Sequence, residues 1–260
     1  MQKSQTDPGI SVFFPAFNDA GSIGALVEAA LEILPALTND YEVIVVNDGS
    51  TDGTADVLEW IARHNSHVRI INHERNLGYG AALQTGFRHA EKELVFYTDG
   101  DGQYDVRELP ALRRLMTDGV DVVNGYKVKR SDASSRKVLG AIYNQTARLL
   151  FRLPIRDVDC DFRLLRRRRV QEIEIGSSTG AICVELVSKL HQAGCVFAEV
   201  PVTHYPRVHG TSQFFTFRRV WNTAVDFSLL WLRTIGTARF SKIRSDSTGE
   251  FLTVFAIFTC

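Results

Sequence analysis

The chain is predicted to fold as an α/β protein, with a mostly parallel sheet carrying helices on both faces. Three observations support that expectation. Strand, loop and helix patterns alternate through the first half of the sequence. The strand-like runs are short and apolar, as buried strands are. Polar or glycine-bearing clusters follow them at 17–19, 47–52, 76–80 and 99–103. In sheets of this kind ligands lie beyond the carboxyl ends of the strands.

Taken in order, residues 10–14 read as a first strand, stopped by Pro15. Ser22 or Asp19 caps a helix with apolar Ile23, Leu26, Val27, Ala30, Leu31 and Leu34 at helical spacing, ended by Pro35. Residues 41–46 form a second strand. Asp52 or Thr51 caps a helix over 55–64. Residues 68–71 are a third strand, and 76–82 turn into a helix ending near His89. Residues 94–97 are a fourth strand. Residues 120–125 form another, followed by a polar, basic stretch over 126–137. Residues 156–163 are an acidic loop, and the arginine run 166–169 reads as an exposed helix face. A helix over 181–193 carries Glu185, either buried near an acceptor or solvated. Residues 195–202 are an edge strand, given Pro201.

With 260 residues, 45% hydrophobic and 23% charged, the chain can bury the core of one large domain. The formal net charge is zero, so bulk charge gives no case for nucleic acid. Cys160, Cys183, Cys195 and Cys260 are scattered without a CxxC. That excludes a zinc framework and fits a reducing cytoplasm. The N-terminal stretch is polar, without a signal-peptide core. No run approaches the ~20 apolar residues of a membrane span.

The chemistry centres on Asp99-Gly100-Asp101-Gly102-Gln103. In an extended backbone, positions i and i+2 point the same way, so Asp99 and Asp101 can face one cation. Hard carboxylate oxygens suit Mg²⁺ or Mn²⁺, with positions left for phosphate oxygens. A lone Asp-x-Asp after a strand is also a common turn. Four polar clusters on one sheet edge are harder to explain as turns.

Phe14-Pro15-Ala16-Phe17-Asn18-Asp19, Val46-Asn47-Asp48-Gly49-Ser50-Thr51-Asp52, Arg75-Asn76-Leu77-Gly78 and Asp99-Gly100-Asp101-Gly102-Gln103 stand in the order seen in family 2 inverting glycosyltransferases. Over residues 10–235 the sequence most resembles the dolichyl- and polyprenyl-phosphate sugar transferases of that family. The resemblance implies a GT-A-type, Rossmann-like fold and a nucleotide-sugar donor, UDP- or GDP-linked. Pro15, Phe17, Asp19, Asp48, Ser50, Asn76, Gly78, Asp99 and Gly100 would line the donor pocket, with Asp48 accepting from base N–H groups. Asp99, Asp101 and Gln103 would hold the metal on the diphosphate, which makes Asp101 catalytic. The family often has Tyr and Glu where this chain has Phe17 and Asp19, so Phe17 keeps an aromatic face but loses a hydroxyl.

The acceptor side follows. An anionic acceptor phosphate needs cations, and Lys127 and Arg136 are candidates. The resemblance of residues 204–213 to the family's Arg…Gly-x-Ser-Lys loop implies that Arg207 contacts a phosphate of donor or acceptor, with Ser212 in the same loop. Gly140 stands where the family commonly has a Ser, and Gln213 replaces a usual Lys. Asp157 and Asp159 are candidates to orient or activate the acceptor. A phosphate acceptor is already anionic and needs little base; a hydroxyl acceptor would need Asp157 or Asp159 as base.

The expected organisation is a catalytic domain over 1–213 and an amphipathic segment over 214–260. Phe214, Phe217, Trp221, Ala224, Val225, Phe227, Trp231 and Leu232 give an aromatic, apolar face flanked by Arg218, Arg219 and Arg233. Such a helix suits a membrane surface, or packs on the sheet or on a second copy of the chain. The reading is an inverting transfer of a sugar to a polyprenyl phosphate by a cytoplasmic protein, peripheral on the inner face of the membrane.

Overall fold

The computed structural model describes residues 7–129, 134–207 and 221–234. Seven strands form one sheet: β1 (Ile10–Ala16), β2 (Tyr41–Asn47), β3 (Val68–Asn72), β4 (Leu94–Thr98), β5 (Val122–Lys129), β6 (Phe162–Arg166) and β7 (Phe197–Thr203). Their order across the sheet is β3-β2-β1-β4-β6-β5-β7. The β1–β2, β1–β4, β2–β3 and β5–β7 pairs are parallel; β6 runs antiparallel to both β4 and β5. Every strand except β6 therefore ends at the same edge, and β6 starts there.

Successive side chains alternate between the two faces, and because both faces are covered the central strands β1, β4 and β6 are buried throughout. Val12, Phe14, Val43, Val45 and Phe96 point to one face with Ile23, Leu58, Leu109 and Leu112. These come from α1 (Ile23–Ile33), α2 (Thr54–His64) and α4 (Leu109–Leu115). Phe13, Ile44, Val46, Val95 and Tyr97 point to the other face with Leu83, Phe87, Val170, Leu186 and Leu190. These helices are α3 (Tyr79–His89), α6 (Arg167–Gln171) and α7 (Ile182–Gln192). The Phe13 and Tyr97 rings stack at 5.4 Å, and the Phe87 edge meets Phe13 at 5.0 Å.

Several elements differ from expectation. Pro15 does not stop β1, which runs to Ala16. The paired β1–β4 register ends at Phe13 and Tyr97, so the missing Pro N–H falls beyond that ladder. Its carbonyl still accepts from the Gly100 N–H at 3.1 Å. Neither Ser22 nor Asp19 caps α1 through its side chain. The N-cap of α2 is Gly53, not Asp52 or Thr51, but Asp52 just before it takes the Thr54 N–H at 2.9 Å.

β5 runs on through Tyr126 and Lys127, so Lys127 lies on a strand and not in a basic loop. A long helix, α5 (Ser134–Phe151), takes in Arg136; the side chain of Arg136 lies outside the described residues. The arginine run is not simply an exposed face. Arg166 is 9% exposed and ties the Thr117 and Val120 carbonyls to Glu93. Arg169 clamps Asp121 at 2.9 Å.

A last helix, α8, covers 221–234. Its Leu230, Phe227 and Trp231 pack with Phe151, Val184 and Val187 of α5 and α7. Thr179 Oγ1 donates to Asp226 at 2.8 Å. Trp221, Val225, Leu229 and Leu232 are exposed on the same helix. One face thus packs on the protein and another does not. The expected boundary at 213/214, Ser212, and residues 214–220 and 235–260 lie outside the described residues.

Candidate functional site

The carboxyl ends of β1, β2 and β4 build one side of the site. The loops after β1 and β2 are stitched together. Asn18, at φ 58°, gives its N–H to Ser50 Oγ at 3.0 Å, while its side chain accepts the Thr51 N–H at 2.8 Å. The Asp19 N–H goes to Thr54 Oγ1 at 3.0 Å, and Asp19 accepts the Phe17 N–H at 3.0 Å. Ser50 and Phe17 are therefore fixed relative to each other before any ligand arrives. Burial pushes the Asp19 carboxyl up to about 6, with Asp101 adding to the effect and the Phe17 N–H opposing it.

Asp48 is 3% exposed and turned to its own chain. One oxygen takes the Leu77 N–H at 2.8 Å and His73 Nδ1 at 2.7 Å; the other takes the Gly78 N–H at 2.9 Å. His73 Nε2 meets Thr85 Oγ1 at 3.0 Å. In this arrangement Asp48 braces the 73–78 loop, which holds Asn76 exposed at the edge. Gly49 allows the close approach: its φ is +68°, and a Cβ there would lie 2.4 Å from the Arg75 carbonyl carbon.

Asp99 and Asp101 follow β4, as the sequence predicts. Asp99 accepts the Tyr79 hydroxyl at 2.7 Å. Burial pushes its carboxyl well above the usual range, and Asp161 and Asp101 push it further. Asp101 accepts the Gln103 N–H at 3.0 Å and pairs with the Arg207 guanidinium. The Gln103 side-chain amide donates to the Tyr205 carbonyl at 3.2 Å. Gln103 thus faces the 204–207 segment. Among the described residues no group of three or more His, Cys, Asp or Glu is placed to hold an ion. The pair of hard carboxylates at Asp99 and Asp101 still fits a divalent cation, because the gathered negative charge is what such an ion relieves.

The antiparallel β6 delivers the acid loop to the same edge. Thr98 stands opposite Phe162 in register, so Asp161 comes beside Asp99. Arg163, fully buried, holds the loop from below. Its guanidinium donates to Asn124 Oδ1 at 2.5 Å, to Asp161 at 3.0 Å, and to the Tyr97 hydroxyl and Val158 carbonyl. Cys183 Sγ also meets Asp161, at 3.1 Å. Of the two nominated acids, Asp157 is 6% exposed and accepts the Lys127 N–H at 3.3 Å. Asp159 is about half exposed and pairs with Lys127 Nζ at 3.2 Å. Lys127 is thus bound to the acid loop.

A further wall comes from residues 176–180. Glu185 is buried, and takes the N–H groups of Gly176 and Ser177 as well as Lys189. The Ser178 carbonyl accepts the Gly80 N–H at 3.0 Å, and Gln84 holds the Ser177 carbonyl at 3.0 Å. Glu185 is an anchor for this loop, buried and not solvated.

The structure therefore brings together Pro15, Phe17, Asp19, Ser50, Asp99, Gly100, Asp101 and Arg207 on one side, and Lys127, Asp157 and Asp159 on the other. Sequence reasoning passed over Asp161, Arg163, Tyr79 and Asn124. The signal for Asp161 was available: reading residues 162–166 as a strand antiparallel to β4 would have placed it next to Asp99.

The chain is similar to known proteins in sequence and in fold. A curated dodecaprenyl-phosphate galacturonate synthase from Rhizobium johnstonii is 27% identical over 208 residues, 79% of this chain. The chain spans 61% of that relative's length. Among solved structures, glucosyl-3-phosphoglycerate synthase from Mycobacterium tuberculosis with Mn²⁺, UDP and glucosyl-3-phosphoglycerate superposes with a TM-score of 0.63 at 18% identity. The match covers 88% of this chain and 80% of that one. A mannosyltransferase from Pyrobaculum calidifontis with GDP-Man and Mn²⁺ gives 0.59 at 23% identity, covering 79% and 58%. At these identities the likeness is one of fold. A family profile described as Glycosyl transferase family 2 matches residues 11–174, well over half the sequence. This chain belongs to glycosyl transferase family 2.

Proposed function

We propose that the chain transfers a sugar, with inversion, from a UDP- or GDP-linked donor to a polyprenyl phosphate at the cytoplasmic membrane face. The observation that carries this reading is the strand-end edge itself. It pairs Asp101, two residues from Asp99, with Arg207, and holds Lys127 against Asp159 of the acid loop; the first group is read as the donor side and the second as the acceptor side. The galacturonate synthase relative supports the acceptor class, and the UDP and GDP-Man complexes support the donor class.

In this reading Asp99 and Asp101 hold Mg²⁺ or Mn²⁺, which when bound neutralises charge on the leaving diphosphate. Phe17 and the stitched 17–20 and 50–54 loops hold the nucleoside, with Asn76 and Gly78 braced against it by Asp48. Gly100 seats the loop after β4 against the Pro15 carbonyl, where a Cβ would lie 2.7 Å from the oxygen, and so sets the position of Asp99 and Asp101 at the diphosphate. Lys127, Arg136 and Ser212 meet the acceptor phosphate. That phosphate oxygen is already anionic, so no side chain has to remove a proton. Asp157 and Asp159 are positioning residues for Lys127. The rival, a hydroxyl acceptor with Asp157 or Asp159 as base, has one observation behind it: the Asp159 side chain is 49% exposed.

The membrane contact has its own support. No described helix is long and apolar enough to cross a membrane. Trp221, Val225, Leu229 and Leu232 are exposed at spacings of four, four and three along α8. Ile142, Leu149 and Leu150 are exposed on α5, on which α8 packs. Two apolar stripes on neighbouring helices suit a lipid surface, and the alternative is a second copy of the chain. Vesicle flotation separates them: binding to anionic vesicles is expected, and a dimer that never floats would remove the membrane contact.

The experiment for the function is transfer itself. Purified protein with Mn²⁺, labelled UDP- and GDP-sugars and a short polyprenyl phosphate should move label into the organic phase. No organic-phase label with any donor would contradict the proposal.

A further inference from the structure

Residues 204–207 run as a strap over the Asp99–Gln103 loop. Tyr104 and His204 form an antiparallel bridge. The Tyr205 N–H donates to the Gln103 carbonyl at 2.8 Å, and the Gln103 side chain returns a bond to the Tyr205 carbonyl at 3.2 Å. These contacts seat the strap without any help from the Arg207 side chain. That side chain instead spans to Asp101, whose other oxygen is taken by the Gln103 N–H. Asp101 is 8% exposed, so its carboxylate has little water to compensate for losing this partner.

We propose that Arg207 is a placeholder cation: it neutralises Asp101 until a divalent ion is loaded, then hands that carboxylate over and moves to the diphosphate that arrives with the ion. The inference rests on the reading of Asp99 and Asp101 as the cation pair. Its physics is competition. A guanidinium and a divalent ion are both drawn to the same carboxylate, and a guanidinium cannot give up its charge. On leaving Asp101 it needs another anion, and the diphosphate is the one the donor supplies. Arg207 therefore opposes metal binding when no nucleotide is present and favours it when one is. Arg207 thereby couples the two ligands, and by linkage nucleotide and cation raise each other's affinity by the same factor.

The test is Mn²⁺ affinity, read from the electron paramagnetic resonance signal of free Mn²⁺, in the parent protein, Arg207→Ala, Asp101→Asn and Arg107→Ala. Arg107 is an exposed control, paired with Glu32 away from the edge. Each protein is measured alone, with UDP and with GDP, and its melting curve is recorded to confirm folding. Without nucleotide, Arg207→Ala should bind Mn²⁺ roughly tenfold tighter than the parent, because one charge-assisted contact no longer has to be broken. With UDP or GDP the order should reverse, and Arg207→Ala should bind Mn²⁺ more weakly. Arg107→Ala should match the parent in every series. Equal tightening with and without nucleotide would mean that only a nearby positive charge was removed, and would overturn the handover. So would unchanged Mn²⁺ affinity in Arg207→Ala. Loss of Mn²⁺ binding in Asp101→Asn alongside either result would leave the cation pair standing while the handover falls. If Asp101→Asn binds Mn²⁺ like the parent, the cation pair itself is wrong, and the proposal falls with it.

Discussion

Arg163 is the residue whose loss should cost most. It is fully buried, and its guanidinium satisfies Asn124, Asp161, Tyr97 and the Val158 carbonyl at once. In Arg163→Met the side chain keeps much of its length but loses every donor. The Asp161 carboxylate, 11% exposed, is then left without its ion-pair partner and with Asp99 nearby. Breaking a buried pair from one side costs about 3–5 kcal/mol. At about 2–4 °C per kcal/mol for a domain of this size, the melting temperature should fall by roughly 6–20 °C. Urea unfolding of the parent, Arg163→Met, Asp161→Leu and the double variant closes a mutant cycle. The double variant removes both charges, so it should be more stable than Arg163→Met alone, with a coupling of about 2 kcal/mol or more. A loss below about 1 kcal/mol in Arg163→Met, or additive single effects, would refute the reasoning.

Three further outcomes are expected. In Gly80→Ala the new Cβ would lie 2.3 Å from the Ser177 carbonyl oxygen, so the 176–178 loop must shift. Unfolding should show a loss of about 1–3 kcal/mol, and a change within ~0.5 kcal/mol would mean that the contact is soft. Glu185 is titrated in its folded setting: burial pushes its carboxyl up, but Lys189 and the Ser177 and Gly176 N–H groups outweigh this and hold it below the ordinary range. A depressed folded value contributes stability above the unfolded value of ~4.3, lost as pH falls through the folded one. Melting curves from pH 6 downward should therefore fall less steeply for Glu185→Gln than for the parent, and parallel curves would contradict this. Asp101→Asn should retain the parent's far-ultraviolet circular dichroism while losing most transfer activity; full activity, or full activity in chelator, would remove Asp101 from the site.

The first half of the fold was legible because each strand is a short apolar run followed by a polar cluster, and parallel order places those clusters on one edge. Pro15 misled because a proline was read as a stop, whereas its missing N–H falls where no ladder partner is paired. The second half was harder for a single reason: β6 is antiparallel inside an otherwise parallel order. Its sequence, Phe162-Arg163-Leu164-Leu165-Arg166, puts a charged residue in the core, which reads as loop. Arg163 is tolerated there because Asn124, Tyr97 and Asp161 arrive from β5, β4 and the acid loop, and none of these is near it in period or pattern except Asp161. Asp157 and Asp159 stood out as an acid cluster, but their contacts with Lys127, through its backbone N–H and its ammonium, depend on β5 lying beside the acid loop. Asp48 was nominated for the donor pocket from the family resemblance, as an acceptor for base N–H groups; its bonds to Leu77, Gly78 and His73 depend on loop geometry that no local pattern encodes.

The central claim is an acceptor that brings its own negative charge. Its most direct test is a side-by-side transfer assay with a short polyprenyl phosphate and the matching polyprenol, using the parent protein and Asp159→Asn. The structure ties Asp159 to Lys127. Product is therefore expected with the phosphate only, and Asp159→Asn should retain turnover within about tenfold, the cost of one weakened charge contact at a half-exposed site. Product with the polyprenol alone, together with collapse of activity in Asp159→Asn, would contradict the phosphate acceptor and make Asp159 the base.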